Sequence, residues 1–88
     1  MIYFVSQHAI DRFFERFGGR AINSIDAQNV INGMIGKSVK LRKGGHRPNI
    51  VYYLDTSNGA VFVINTENRV VITVYNIRKG LIEGEVDL

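Results

Sequence analysis

Residues 6–19 constrain the fold most, because they divide into one apolar and one charged face at the period of an α-helix. Ser6 is suited to cap the free N–H groups of the first turn, and Gly18 or Gly19 to end the helix in a left-handed conformation. At about 100° per residue, the apolar side chains fall within one arc. They are Ala9, Ile10, Phe13, Phe14 and Phe17. Such a helix needs a second layer to cover its apolar face.

The opposite face of this helix carries His8, Arg12 and Arg16 at intervals of four residues. One imidazole and two guanidiniums in a single row are suited to hold a phosphate group. The alternative is a solvated helix face on which Arg12 pairs with Glu15 or His8 through ordinary neighbour contacts. Both interpretations are compatible with the sequence.

The rest of the chain supplies the second layer. Residues 1–5 are predicted as a short strand, and Ser24 or Asp26 is predicted to cap a second helix that ends near residue 35. From residue 37 the apolar period changes to two, which predicts strands over 37–42, 49–54, 60–65 and 69–76. Polar turns between them, including Asn58-Gly59, favour an antiparallel meander.

We therefore predict an α+β fold in which two N-terminal helices pack on one face of a twisted, four- to five-stranded antiparallel sheet. Alternation along the last strand directs Val70, Ile72 and Val74 towards the helices, and Arg69, Val71, Thr73 and Tyr75 to the open face. The predicted core includes Phe13, Phe14, Phe17, Ile31, Val70, Ile72 and Val74.

Composition excludes several classes of function. The 88 residues are 45% apolar, which suits one small domain, and the absence of cysteine excludes disulfides, thiolate zinc sites and a cysteine nucleophile. No signal peptide and no apolar run of roughly 18 residues is present, so we expect a soluble, cytoplasmic protein that does not bind membranes. Because metal-ligand spacings and nucleotide-binding loops are also missing, we predict no metal and no other cofactor.

Positive charge is concentrated in the middle of the chain. Residues 1–80 hold all 11 Lys and Arg against five acids, and residues 27–54 hold no acid. A basic strip suits phosphates, because neutralising them releases counterions. The alternative is a hairpin loop that lysines keep soluble. The candidate nucleic-acid-binding residues are Lys37, Lys40, Arg42, Lys43, Arg47, Arg69 and Thr73.

The only two histidines, His8 and His46, lie on different predicted elements. If they face one phosphate, two imidazoles can act as base and acid in cleaving RNA through its 2′-hydroxyl group, since both protonation states exist near pH 7. The alternative for each is a surface side chain without a catalytic role.

The pattern Ser6-x-His8-Ala9-x-x-Arg12-x-x-x-Arg16, with a strand-rich half ending in Val71-Ile72-Thr73-Val74-Tyr75, resembles small bacterial and phage domains of the RelE-type and colicin-type ribonuclease superfamily. The resemblance covers roughly residues 2–76. It implies a RelE-like fold and a metal-free ribonuclease ancestry. It matches His8, Arg12 and Arg16 to the family's helix motif, and Thr73 and Tyr75 to its last strand.

Two hypotheses of function follow. The first is an RNA-binding protein with metal-independent, toxin-like endoribonuclease activity. Its candidate catalytic residues are His8, Arg12, Arg16, His46 and Tyr75. The second is a non-catalytic interaction protein, such as a phage or toxin-system regulator, whose basic surface binds nucleic acid or a protein partner such as an antitoxin or host factor.

The sequence separates a domain over residues 1–80 from an acidic tail over residues 81–88. In the tail Ile82, Val86 and Leu88 alternate with three acids, which is typical of an edge strand. We predict that it pairs with its own sheet or with a second copy, in the latter case forming a homodimer. The alternative is a frayed terminus.

Overall fold

The computed structural model describes residues 2–41 and 48–76. Along the chain lie β1 (Phe4–Val5), α1 (Gln7–Phe17), a 3₁₀ turn (Gly18–Arg20), α2 (Ser24–Gly36), β2 (Val39–Lys40), β3 (Ile50–Asp55), β4 (Ala60–Asn65) and β5 (Val70–Asn76). The strands form one sheet in the order β1-β5-β4-β3-β2. The predicted α+β class, with two helices and a five-stranded sheet, is confirmed.

The sheet is mixed, so the prediction of a wholly antiparallel sheet is wrong. β1 pairs with β5 in parallel, with Phe4 opposite Val70 and Val5 opposite Val71, whereas the other neighbours are antiparallel. A parallel pair needs a long connection, and here it contains both helices and three strands. The helices therefore follow a strand of the sheet and do not begin the fold.

The helix ends agree only in part with the sequence prediction. Ser6 caps α1 as expected, because its hydroxyl accepts a hydrogen bond from the Ala9 amide at 3.1 Å. Gly18 has φ −57°, so α1 continues into the 3₁₀ turn and does not end in a left-handed residue. The cap of α2 is Asn23, whose side-chain oxygen accepts from the Asp26 amide at 2.9 Å, and not Ser24 or Asp26.

Both helices pack on the same face of the sheet, here called the inner face, and the main core lies between them. Phe13 is fully buried and stacks on Phe17 with ring centroids 5.7 Å apart. Ile31 and Val74 are also buried as predicted, while Phe14 is partly buried against this core. The other buried members are Ala9, Ile10, Ala27, Met34, Ile35, Ala60, Phe62, Ile64 and Val71.

A β-bulge in β5 interrupts its alternation. Val63 of β4 lies opposite Thr73, but the next residue, Ile64, lies opposite Val71. Ile72 is therefore the extra residue on the bulged strand, and the side-chain period of two does not continue across it.

This bulge overturns the predicted facing of β5. Val71 and Val74 both join the core beneath the helices, whereas Ile72 packs with the cluster on the opposite face of the sheet. Val70 is only partly buried. Of the three side chains predicted to face the helices, only Val74 does so, because alternation counted from sequence assumes an uninterrupted strand.

The face of the sheet opposite the helices, here called the outer face, is also apolar. Its buried residues are Tyr52, Val61 and Val63, and neither described helix contributes to their cluster. The cluster is completed by the partly buried side chains of Leu41, Ile50, Leu54, Ile72 and Tyr75. The sheet thus separates two apolar clusters, and the helices cover only one.

Candidate nucleic-acid interface

Ser6 fixes the start of α1 to β5. Its hydroxyl donates to the Ile72 carbonyl oxygen at 3.1 Å while accepting from Ala9, and its amide donates to the Val71 carbonyl oxygen at 3.1 Å. One residue therefore caps the helix and anchors it to the sheet. The row of His8, Arg12 and Arg16 that follows extends about 12 Å along the helix axis.

Arg16 is the residue of this row that contacts the sheet. Its Nη1 donates to the Val74 carbonyl oxygen at 3.2 Å. Val74 lies beyond the part of β5 that pairs with β1, so the guanidinium supplies a donor to a strand edge that β1 does not reach. A guanidinium has five N–H donors, and this contact uses one.

Arg12 pairs with Glu15, as one of the two interpretations of the helix predicted. Its Nη1 donates to both carboxylate oxygens, at 2.8 and 2.7 Å, and the two side chains are 37% and 59% exposed. An exposed ion pair stabilises a protein by only about 0–1 kcal/mol. Exchanging Glu15 for a phosphate at Arg12 therefore costs little. His8 is exposed.

Lys37 and Lys40 lie elsewhere on the molecule. Lys37 follows α2, where its amide donates to the Met34 carbonyl oxygen at 3.1 Å, and Lys40 lies in β2 opposite Tyr53. Both lysines are exposed. β2 is three strand positions from β5, which is about 14 Å at normal strand spacing. These two lysines are thus separated along the sheet from Arg16, which contacts β5.

Four candidate residues and the tail lie outside the described residues. They are Arg42, Lys43, His46 and Arg47, together with residues 81–88. A site shared by His8 and His46, and a homodimer through the C-terminal strand, therefore stay predictions.

Thr73 and Tyr75 lie on the side of the sheet away from α1. Tyr75 packs in the outer cluster, and Thr73 is opposite Val63 of that cluster. The apolar side of α1, by contrast, packs on the inner face. The sheet therefore lies between these two side chains and the row of His8, Arg12 and Arg16.

Arg69 belongs to the turn before β5, not to the strand in which it was predicted. Its φ is 59°, an unusual value for a residue with a Cβ, and its guanidinium lies 5.8 Å from the centroid of the Tyr3 ring. Its Nη2 also donates to the Ile2 carbonyl oxygen at 2.8 Å. Arg69 therefore holds the residues that lead into β1, and whether it also contacts RNA stays a prediction.

Asn32 of α2 binds the same N-terminal segment. Its Oδ1 accepts from the Tyr3 amide at 2.7 Å, and its Nδ2 donates to the carbonyl oxygens of Tyr3 at 3.0 Å and Gln28 at 2.9 Å. The side chain satisfies both polar groups of one backbone residue, as a neighbouring strand would. The sequence does not indicate this contact, because an asparagine within a helix gives no sign of a partner 29 residues away.

Burial raises the pKa of the Tyr3 phenol above its ordinary value of 10.0. The adjacent Tyr53 hydroxyl raises this pKa further, while the positive charge of Arg69 acts in the opposite direction. The neutral phenol is therefore the form that the folded protein favours.

A cavity of about 270 Å³, which no sequence pattern indicates, lies between α2 and the turn from β3 to β4. Its lining residues are Val30, Gly33, Met34, Lys37, Asp55, Ser57 and Asn58. The buried carboxylate of Asp55 organises the turn, accepting from the amides of Ser57 at 3.0 Å and Asn58 at 3.3 Å and from the Asn58 side chain at 2.8 Å. All of the residues that line this cavity lie outside α1.

Comparison of the chain with protein-family models, curated proteins and solved structures gives no match. The resemblance to the RelE-type and colicin-type ribonuclease superfamily therefore stays a prediction. Within residues 2–41 and 48–76, no helix is long and apolar enough to cross a membrane. The same residues contain no cluster of three or more carboxylate or imidazole side chains suited to a metal ion.

Proposed function

We propose that the protein binds RNA by contacting its phosphates along the outward side of α1. The observation that supports this proposal is the row of His8, Arg12 and Arg16, which is held against β5 at Ser6 and at Val74. The choice of RNA over other polyanions rests on the sequence resemblance to ribonucleases. Lys37 and Lys40 provide a second group of phosphate contacts near β2.

The two arginines suit this role for different reasons. Arg12 leaves an exposed ion pair of small stability when it turns to a phosphate. Arg16 keeps its contact with the Val74 carbonyl oxygen and presents its remaining donors, so less conformational entropy is lost when a phosphate binds. Arg12 can therefore turn towards a phosphate, while Arg16 is already held in position to bind one.

Binding is better supported than cleavage. In cleavage, the imidazole of His8 would act as the general acid or base, and the arginines would stabilise charge that develops on a phosphate. Thr73 and Tyr75, however, lie across the sheet from this row. Binding of RNA without cleavage is therefore the second candidate function. The placement of Thr73 and Tyr75 away from the row on α1 favours it over cleavage.

Titration of labelled single-stranded RNA at several salt concentrations, with a chelator present, tests binding. Contacts from Arg12, Arg16, Lys37 and Lys40 give a slope of log affinity against log salt of about −3 for single strands, and Arg12→Ala should reduce its size by about 0.7. Arg20→Ala is the matched control, since Arg20 is exposed in the 3₁₀ turn outside the row. Unchanged affinity and slope in Arg12→Ala would refute the proposal.

The same incubations test cleavage. Metal-independent cleavage predicts products that end in 2′,3′-cyclic phosphate and that disappear in His8→Ala. Intact RNA, with binding retained, assigns the protein to the non-catalytic candidate. Glu15→Gln should strengthen binding by freeing Arg12, which a merely structural Arg12 would not produce.

A further inference from the structure

The cavity beside α2 combines an apolar wall with a polar rim. Val30 and Met34 lie one helical turn apart on α2, and Ser57 and Asn58 face them from the turn between β3 and β4. Its volume of about 270 Å³ is slightly below the range of small-molecule pockets, which span roughly 300–1,000 Å³. The cavity therefore suits a single ring system.

We propose that this cavity accepts an unstacked nucleobase of the bound RNA, an inference that rests on the function proposed above. Val30 and Met34 provide apolar contacts to the face of the base, and a thioether packs well against a ring. The Ser57 hydroxyl and the Asn58 amide offer both donors and acceptors to its edge. Such combined contacts to faces and edges are how proteins usually recognise unpaired RNA bases.

Charge around the cavity agrees with a nucleotide ligand. Lys37 lies on its lining and is exposed, so its ammonium group is available to the phosphate next to the inserted base. Asp55 is only 2% exposed, and its carboxylate is turned to three donors of its own turn. These hydrogen bonds hold Ser57 and Asn58 in place before a ligand arrives, which reduces the entropy lost on binding.

Gly33 leaves the cavity open and allows a direct test. A Cβ built on Gly33 meets nothing within 4 Å, and the same is true of Gly36 on the same helix. Leucine is a much better helix former than glycine, so neither Gly33→Leu nor Gly36→Leu should destabilise α2. Only the first places a side chain in the cavity, because Gly33 lines it and Gly36 does not.

The experiment compares two probes of equal length, an oligouridine and a ribose-phosphate strand that lacks bases. The wild type and Gly36→Leu should bind the oligouridine about tenfold more tightly than the baseless strand, a ratio equivalent to about 1.4 kcal/mol. Gly33→Leu should bind both probes with the affinity that the wild type has for the baseless strand. Thermal unfolding of both variants verifies that they are folded.

The outcomes separate this inference from the proposed function. Equal binding of the two probes by the wild type, or an unaltered preference in Gly33→Leu, overturns the base pocket while leaving phosphate binding intact. Failure of the wild type to bind either probe overturns both the base pocket and the proposed binding of RNA.

Discussion

Replacing Asn32 with alanine tests how the N-terminal segment is held to α2. The variant loses the two hydrogen bonds to the Tyr3 backbone and a third to the Gln28 carbonyl oxygen. The third should matter little, because that carbonyl oxygen is also placed to accept the backbone bond of the helix. The Tyr3 amide and carbonyl groups, by contrast, are part-buried and lose the partner that satisfies both.

The expected magnitude follows from these two bonds. Each contributes about 1–1.5 kcal/mol net to stability, and alanine returns about 0.5 kcal/mol through its better helix propensity. We expect Asn32→Ala to lower the free energy of unfolding by about 2 kcal/mol. With a urea slope of about 1 kcal/mol/M for a chain of this size, the unfolding midpoint falls by about 2 M.

Equilibrium unfolding in urea, followed by circular dichroism, measures this change. Asn29→Ala is the matched control, because Asn29 is an exposed residue of the same type on the same helix. Its free energy of unfolding should stay within about 0.5 kcal/mol of that of the wild type. If the two variants unfold at the same midpoint, Asn32 does not hold Tyr3 in the way described.

Three further predictions concern stability. Phe13→Ala should lower the free energy of unfolding, measured in urea, by about 3–5 kcal/mol, because Phe13 is fully buried. Phe14→Ala should lower it clearly less, because Phe14 is only partly buried, and equal losses would contradict the packing. Arg69→Gly should be more stable than Arg69→Ala by about 1 kcal/mol, because glycine adopts φ 59° without strain, and an alanine variant of equal stability would disprove this. Because the pKa of Tyr3 is raised in the folded state, the Tyr3 phenol loses its proton at lower pH in the unfolded chain than in the folded one. The contribution of the neutral phenol to the free energy of unfolding is therefore complete below about pH 10 and is lost as pH rises through the folded pKa. Urea midpoints should therefore fall more steeply above about pH 10 in the wild type than in Tyr3→Phe.

Structural elements that depend on residues close together in the sequence could be predicted. The periodicity and the Ser6 cap located α1, and the Asn58-Gly59 pair located the turn between β3 and β4, where Gly59 has φ 69°. The Arg12–Glu15 pair was likewise one of two expected outcomes, since residues three apart are neighbours on any helix.

Features that join distant parts of the chain could not be predicted in this way. Local periodicity does not specify which edge of a sheet receives β1, nor that Ile72 is an extra residue in β5. The contact of Arg16 with Val74 spans 58 residues, and the cavity is formed by α2 together with a turn more than 20 residues further along. These are the contacts on which both proposals of function depend.

The parallel pairing of β1 with β5 has a consequence for the order of folding during synthesis. Ser6 and Ile2 are hydrogen-bonded to Ile72 and Arg69, which follow 66 and 67 residues later. Closing so long a loop is costly, and an isolated helix of 11 residues such as α1 is marginal in water. During synthesis α1 therefore emerges before β5 and gains a stable position only when β5 follows it. The surface formed by His8, Arg12 and Arg16 is therefore fixed in place only after β5 has been made and has paired.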